Sequence, residues 1–267
     1  MTRLILLDAD RATGSATPKP RFPDEMIASL RAGGAVIFPT DTLYGLGVDP
    51  CSETGLDRLF AAKGRDRGKP IPLLLSEGAQ VGRWTRHVPP AAARLMDRFW
   101  PGALTLVLPA DPGVHPSVTG GGDTVGLRVP DHPVPRALAA LLSGAVTGTS
   151  ANRSGNPGAW RSAEEIVQEF TGTVDWVLWG GALPHHELRA VGAPPTGNAQ
   201  VAVRASRSRG TPAVGRTGGK PPSGNAREEG VGSSPGSTVV RMTGDRPVLL
   251  REGVLPFHDI IEFLQRG

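Results

Sequence analysis

Residues 35–47 read AVIFPTDTLYGLG: four apolar residues, then three hydroxyl side chains, a carboxylate and two glycines within nine positions. Ala35–Phe38 is short and apolar, with Gly33-Gly34 before it and Pro39 after it, which reads as a buried strand. The polar run behind it is richer than a turn requires. Two readings stand side by side. In one, the hydroxyls bond their own backbone and merely close a turn. In the other, Gly45 and Gly47 let backbone amides approach a ligand while Thr40, Thr42 and Tyr44 supply hydrogen bonds to it.

Outward from this stretch, helix and strand signals alternate over residues 23–183. Pro23-Asp24 opens an amphipathic segment (Met26, Ile27, Leu30) that ends at Gly33-Gly34. Thr54-x-x-Asp57 resembles a capping box leading into Leu56, Leu59 and Phe60, with a helix end near Lys63-Gly64. A strand is predicted at 71–75 and a proline-started helix at 89–100, with Ala93, Leu95, Met96, Phe99 and Trp100 as core candidates. Strands at 104–108 and 125–129, a helix at 134–142, a strand at 145–147, a helix at 163–170 and a strand at 174–178 follow. Such alternation argues for an α/β domain whose sheet includes parallel pairs.

The composition changes at Pro184. Through Gly230 there are six prolines and eight glycines and no Leu or Ile after Leu188, too little apolar surface to offset the entropy of ordering. A strand-like run at 237–242, a second at 247–251 and a helix at 257–264 follow; two strands and a helix cannot form a core alone, so the tail is expected to return to the main sheet. The expected organisation is an N-terminal extension with a first strand (1–22), a catalytic domain (23–183), a flexible Gly/Pro/Arg-rich insertion (184–235) and returning C-terminal elements (236–267).

The chain has 267 residues, 39% of them apolar, enough for a buried core. Its net charge of +4 arises wholly between Pro184 and Gly230, where seven Arg or Lys face three acids. A basic arm for RNA is one reading of that segment and a solvated loop the other. The single cysteine, Cys51, excludes an intrachain disulfide framework and a multi-thiolate zinc site; it is read as structural, in a reducing compartment. No apolar run approaches a signal core or a membrane span, so a cytoplasmic protein with no membrane partner is expected. The histidines show no metal-ligand spacing and are read as surface or packing residues.

Three further clusters could carry chemistry. Lys63–Lys69, KGRDRGK, holds four cations interrupted by glycines, suited to a triphosphate or simply a solvated loop. No G-x-x-x-x-G-K-[ST] occurs, so phosphate is not held by a Walker-type loop. In TVGLRVP (124–130) Arg128 lies within an apolar strand, where it either reaches solvent or pairs with an anion such as a carboxylate. TGTSANRSGNPG (147–158) follows a strand and precedes a helix, as a phosphate-accepting or a capping loop would.

Read in order, FPTDTLYGLGVDP, KGRDRGKP, FWPGALTLVL, VGLRVPDHP, TSANRSGNP, GSTVV and LLREG resemble the YrdC-type threonylcarbamoyl-AMP synthase family, in its single-domain form. The resemblance implies a YrdC/RibB-like α/β fold: a twisted open mixed sheet with flanking helices around a concave basic cavity. It implies an ATP-binding nucleotidyltransferase that makes threonylcarbamoyl-AMP and pyrophosphate from L-threonine, bicarbonate and ATP, with Mg²⁺ on the ATP. The product would pass to a tRNA threonylcarbamoyl transferase complex for the threonylcarbamoyladenosine modification beside the anticodon. An RNA-binding module of the same fold, contacting tRNA without synthase activity, is the alternative.

By the same resemblance, Lys63, Arg65, Ser150 and Asn152 form the catalytic tetrad. Arg65, Thr124, Ser150 and Gly158 would bind ATP. Thr42, Thr40, Arg128 and the Gly148 backbone would bind threonine, and no residue is assigned to a protein-held metal. Many relatives carry Asn where Lys69 stands and His where Leu74 stands, so those contacts do not carry over. The roughly thirty residues after Gly236 are too few for the C-terminal domain of the larger relatives.

Overall fold

The computed structural model describes residues 2–7, 20–152, 160, 162–181, 183 and 236–266. All of them belong to one compact unit, formed by the chain up to Leu188 and again from Val231. The expected insertion at 184–235 lies outside the described residues.

The elements run β1 (Arg3–Leu6), α1 (Asp24–Arg31), β2 (Val36–Phe38), β3 (Gly45–Gly47), α2 (Glu53–Lys63), β4 (Leu73–Leu75), α3 (Pro90–Phe99), β5 (Leu104–Pro109), α4 (Pro116–Thr119), β6 (Thr124–Arg128), α5 (Pro133–Leu141), β7 (Ala145–Thr147), β8 (Thr149–Ser150), α6 (Ala163–Phe170), β9 (Trp176–Trp179), β10 (Thr238–Arg241), β11 (Val248–Arg251) and α7 (Phe257–Gln265). A 3₁₀ turn at Gly78–Arg83 lies between β4 and α3. The α/β class with mixed pairing and flanking helices stands. The strands divide into two sheets, ordered β1-β9-β2-β3-β8 and β11-β10-β5-β6-β4-β7. Parallel pairs join β1 to β9, β9 to β2, β4 to β6 and β10 to β5; the other pairs are antiparallel.

The hairpin β2–β3 decides the opening stretch. Val36 faces Gly47 and Phe38 faces Gly45, so residues 39–44 are the connection and the glycines are strand residues. A Cβ on Gly45 would stand 2.9 Å from the Phe38 ring, and one on Gly47 would stand 2.5 Å from the Thr147 carbonyl oxygen and 2.7 Å from Phe38. The core crowds these positions, which by itself requires glycine at both.

Helix α2 starts two residues earlier than the Thr54-x-x-Asp57 pattern suggests. Ser52 is the cap, its hydroxyl accepting from the Gly55 amide at 3.1 Å, and Gly64 ends the helix in the left-handed region at φ 58°. In α3 the fully buried residues are Ala92 and Leu95; Met96, Phe99 and Trp100 only flank the core, and Trp100 lies beyond the helix end. Two histidines read as packing residues are helix caps: His115 and His132 accept, through Nδ1, from the amides of Ser117 and Val134. Cys51 is exposed, so it has no structural burial.

Pleat alternation sets the surface on which the site lies. Leu104, Leu106, Leu108, Val125, Leu127 and Val240 point into the main core and are fully buried. Val107 and Pro109 of β5, Thr124 and Gly126 of β6, and Val239 and Arg241 of β10 point the other way and stay half-buried or exposed. Toward β4 and β7 that second face is closed by Leu74 and Val146 packing with Val134 and Leu138 of α5. Among the described residues it is more open over β5, β6 and β10, where Thr105 and Arg128 are buried and the rest of the face is half-buried or exposed.

Candidate active site

Arg128 ends β6 on the open face, and its side chain is almost wholly buried. Its Nε donates to the Gly102 carbonyl at 2.8 Å, Nη1 to the Thr42 hydroxyl at 3.1 Å and Nη2 to Asp41 Oδ1 at 2.6 Å. Burial lowers the guanidinium's pKa, and the Asp41 charge and hydrogen bond oppose that. A guanidinium has five N–H donors, so two remain for an external acceptor among the described residues. The arrangement suits a carboxylate that takes both oxygens' bonds from one planar group.

A second cluster forms where α2 meets β8. Lys63, only 4% exposed, donates from Nζ to the Ser150 carbonyl at 2.5 Å and to Asn152 Oδ1 at 3.3 Å. The Ser150 hydroxyl donates to Asn152 Oδ1 at 2.5 Å. Burial, and then the charge of Arg65, bring the Lys63 pKa down to about 8. Arg65 follows the left-handed turn at Gly64, and its Nη2 donates to the Pro70 carbonyl at 3.0 Å. Its Nε is buried without a hydrogen-bond partner among the described residues, a cost of about 1–3 kcal/mol that an incoming acceptor would relieve. Lys63, Ser150 and Asn152 are therefore brought together, with Arg65 two residues away holding an unmet donor.

The strand β3 links the two clusters. Gly45 pairs with Ser150, and the Tyr44 carbonyl accepts from the Ala151 amide at 2.7 Å, so residues 40–44 run from the Arg128 cluster to the Lys63 cluster. Tyr44 is fixed at both ends of its ring. It stacks on Trp179 with centroids 5.2 Å apart, and its hydroxyl donates to the Gly181 carbonyl and accepts from the Gly180 amide.

Three expected contacts look different in three dimensions. The Thr40 hydroxyl donates to the Leu43 carbonyl at 2.6 Å, accepts from the Thr42 and Leu43 amides and lies 3.1 Å from the Thr42 hydroxyl, so it closes its own turn. The Gly148 amide is spent on the Pro72 carbonyl at 2.8 Å, and Leu74 fills the space in front of its α-carbon. Thr124 shares the open face with Arg128, four residues along β6, and hydrogen-bonds to neither cluster among the described residues. Gly158 lies outside the described residues.

The Sua5/YciO/YrdC family model, described as "Telomere recombination", matches residues 28–191. The chain belongs to this family. A threonylcarbamoyl-AMP synthase of Pyrococcus abyssi is 38% identical over 152 residues, covering 57% of this chain and 44% of that protein. One from Bacillus subtilis is 38% identical over 155 residues, again with 44% of its length covered. A threonylcarbamoyl-AMP synthase of Halorhodospira halophila is 39% identical over 153 residues, covering 80% of its length. The matches thus span less than half of the first two relatives and four fifths of the third. Among solved structures, P. abyssi Sua5 complexed with L-threonine superposes with a TM-score of 0.69 at 29% identity, over 98% of this chain and 61% of that one. Escherichia coli YciO shares the fold, with a TM-score of 0.65 at 21% identity over 96% and 98% of the two chains.

In this Sua5/YciO/YrdC domain the sequence reading passed over four side chains that line or support the open face. Thr105 and Ser237 share a hydrogen bond of 2.8 Å between their hydroxyls, both buried. Arg251 donates to the Ser237 carbonyl at 2.8 Å, and the Arg128 charge helps lower its pKa after burial does. The fourth is Asp41. Ser237 and Arg251 sit in GSTVV and LLREG, but nothing in those runs says that β10 lies beside β5. Once the strand order is known, alternation from Arg128 across β5 and β10 to β11 finds them.

Proposed function

We propose that this protein forms threonylcarbamoyl-AMP and pyrophosphate from L-threonine, bicarbonate and ATP. The observation that carries the reading is the pair of buried cationic clusters at the two ends of residues 40–45: a guanidinium with donors to spare and an ammonium beside hydroxyl and amide groups. The names of the relatives, threonylcarbamoyl-AMP synthases, and the threonine bound in the structural neighbour supply the chemistry.

On this reading Arg128 takes the threonine carboxylate and Thr42 lies beside it. The amine of threonine joins the carbon of bicarbonate, water leaves, and a carbamate results. A carbamate oxygen attacks the α-phosphorus of ATP, the bond to the β-phosphate oxygen breaks, and pyrophosphate departs. The protein's share is to hold the partners in line and to neutralise charge on the phosphates with Lys63 and Arg65. Ser150 and Asn152 fix the Lys63 ammonium, and the Ser150 O–H would donate to a phosphate oxygen by turning away from Asn152 Oδ1.

Among the described residues no three His, Cys, Asp or Glu side chains gather to hold a metal ion. A cationic and hydroxyl donor set suits a polyphosphate, so Mg²⁺ is assigned to the ATP phosphates, where it would neutralise their charge. The product would be passed to a tRNA threonylcarbamoyl transferase. No described helix is long and apolar enough to cross a membrane.

The test is pyrophosphate release by purified protein with mass-spectrometric detection of the threonylcarbamoyl-adenylate. Release is expected only when ATP, threonine and bicarbonate are all present. Release that persists when threonine or bicarbonate is omitted would overturn the reading. Arg65→Ala and Ser150→Ala are each expected to lower turnover by about tenfold or more.

A further inference from the structure

The carboxylate of the opening stretch has a place that the reaction just described does not use. Arg128 is held on three sides: by the Gly102 carbonyl at Nε, by Thr42 at Nη1 and by Asp41 at Nη2. The first two partners are neutral. Asp41 is the sole carboxylate ion-paired to Arg128 among the described residues, and its side chain is only 16% exposed. Arg251, two strands beyond β5, is close enough for the Arg128 charge to depress its pKa. His132 also lies within electrostatic reach of Asp41, but burial pushes its pKa down to about 4, so it is neutral at pH 7. Asp131 is a second carboxylate within reach of His132 but makes no ion pair with Arg128 among the described residues, so Asp41 alone opposes the Arg128 charge at contact distance.

We propose that Asp41 is the positioning residue of the amino-acid subsite: it fixes the Arg128 guanidinium and trims the local charge so that the subsite takes one monoanionic carboxylate. The inference rests on the proposed synthase reading, because it assigns that carboxylate to the amino-acid substrate. Two consequences separate it from a purely structural salt bridge. The fixed fork keeps one free N–H on each terminal nitrogen, the pair that a bidentate carboxylate needs. The trimmed charge lets the product's threonyl carboxylate leave after turnover, whereas two unopposed guanidiniums would also attract phosphate. Loss of Asp41 should therefore weaken the amino acid and let inorganic phosphate compete for its place, while ATP at the Lys63 cluster is unaffected.

The experiment is isothermal titration calorimetry of the full chain with L-threonine, ATP and inorganic phosphate, for wild type, Asp41→Asn and Asp41→Glu. Asp41→Asn keeps the shape and one hydrogen-bond acceptor but removes the charge. It is expected to weaken threonine by about tenfold or more, leave ATP within about twofold, and make threonine binding sensitive to phosphate. Asp41→Glu, which restores the charge, is expected to recover most of the threonine affinity and to remain foldable if the Asn variant is not. Unchanged threonine affinity in Asp41→Asn, equal losses for threonine and ATP, or no recovery in Asp41→Glu would each overturn the proposal. If wild type releases no pyrophosphate yet binds threonine in an Asp41-dependent way, the synthase reading falls and the amino-acid subsite stands. If wild type does not bind threonine, the subsite falls.

Discussion

Lys63 shows at the scale of one residue how a functional group is held at a cost to the fold. Its ordinary pKa of 10.5 drops to about 8, first through burial and then through Arg65. The folded value lies below the unfolded one, so the fold disfavours the ammonium. The penalty is fully present below pH 8 and fades as the pH rises from about 8 toward 10.5, where the unfolded chain still holds its proton. It amounts to about 3 kcal/mol at pH 7. Lys63→Met is therefore expected to lower turnover by about a hundredfold while leaving the melting temperature at pH 7 unchanged or higher, as calorimetry would show. Catalysis that needs the ammonium should also fail in alkali. The kcat/KM for ATP is expected to fall above pH 8 by about tenfold per pH unit, and a flat profile to pH 9.5 would remove Lys63 from charge neutralisation.

Among the elements, the glycines of β3 and α2 separate two causes that the sequence presents alike. Gly47 has no positive φ, but a side chain there would meet the Thr147 carbonyl and Phe38. Gly64 is open to solvent on that side, with nothing within 4 Å of a Cβ, yet sits at φ 58°. Gly47→Ala is expected to cost about 1–3 kcal/mol by overpacking, and Gly64→Ala about 1 kcal/mol by backbone strain, both measured by urea unfolding. The first should also disturb turnover, because β3 anchors the connection 39–44 that runs past both clusters. The same contrast shows what was legible beforehand. Apolar runs such as Leu104–Leu108 and caps such as Gly64 depend on neighbours in sequence, and they could be read. Gly45 and Gly47 could not, since the crowding comes from Phe38 across the hairpin and from Thr147 a hundred residues on. Thr40 and Thr42 have the same side chain two positions apart; only the fold gives one to the turn and the other to Arg128.

On the scale of the whole molecule, the site depends on the tail that follows residue 235. Strand β10 lies parallel to β5, Thr238 facing Leu104 and Arg241 facing Val107, and β11 extends the sheet beyond it. Val240, Met242 and Ile260 are fully buried in the same core as Leu104, Leu106 and Leu108. The return of β11 is fitted backbone to backbone: a Cβ on Gly253 would stand 2.2 Å from the Gly236 carbonyl oxygen. Without the tail, β5 becomes an unpaired edge, the core loses three buried side chains, and Ser237 and Arg251 leave the open face. Each of those side chains is worth about 2–5 kcal/mol, against a total stability of about 5–15 kcal/mol for a typical domain. A chain ending at residue 235 is therefore expected to lose its cooperative melt by circular dichroism. Gly253→Ala makes the milder test. It should preserve a cooperative melt at lower temperature while reducing turnover more than its stability loss explains, because the closely packed return carries Arg251. A truncated chain melting within a few degrees of the full one would instead make the tail an accessory to a core complete without it.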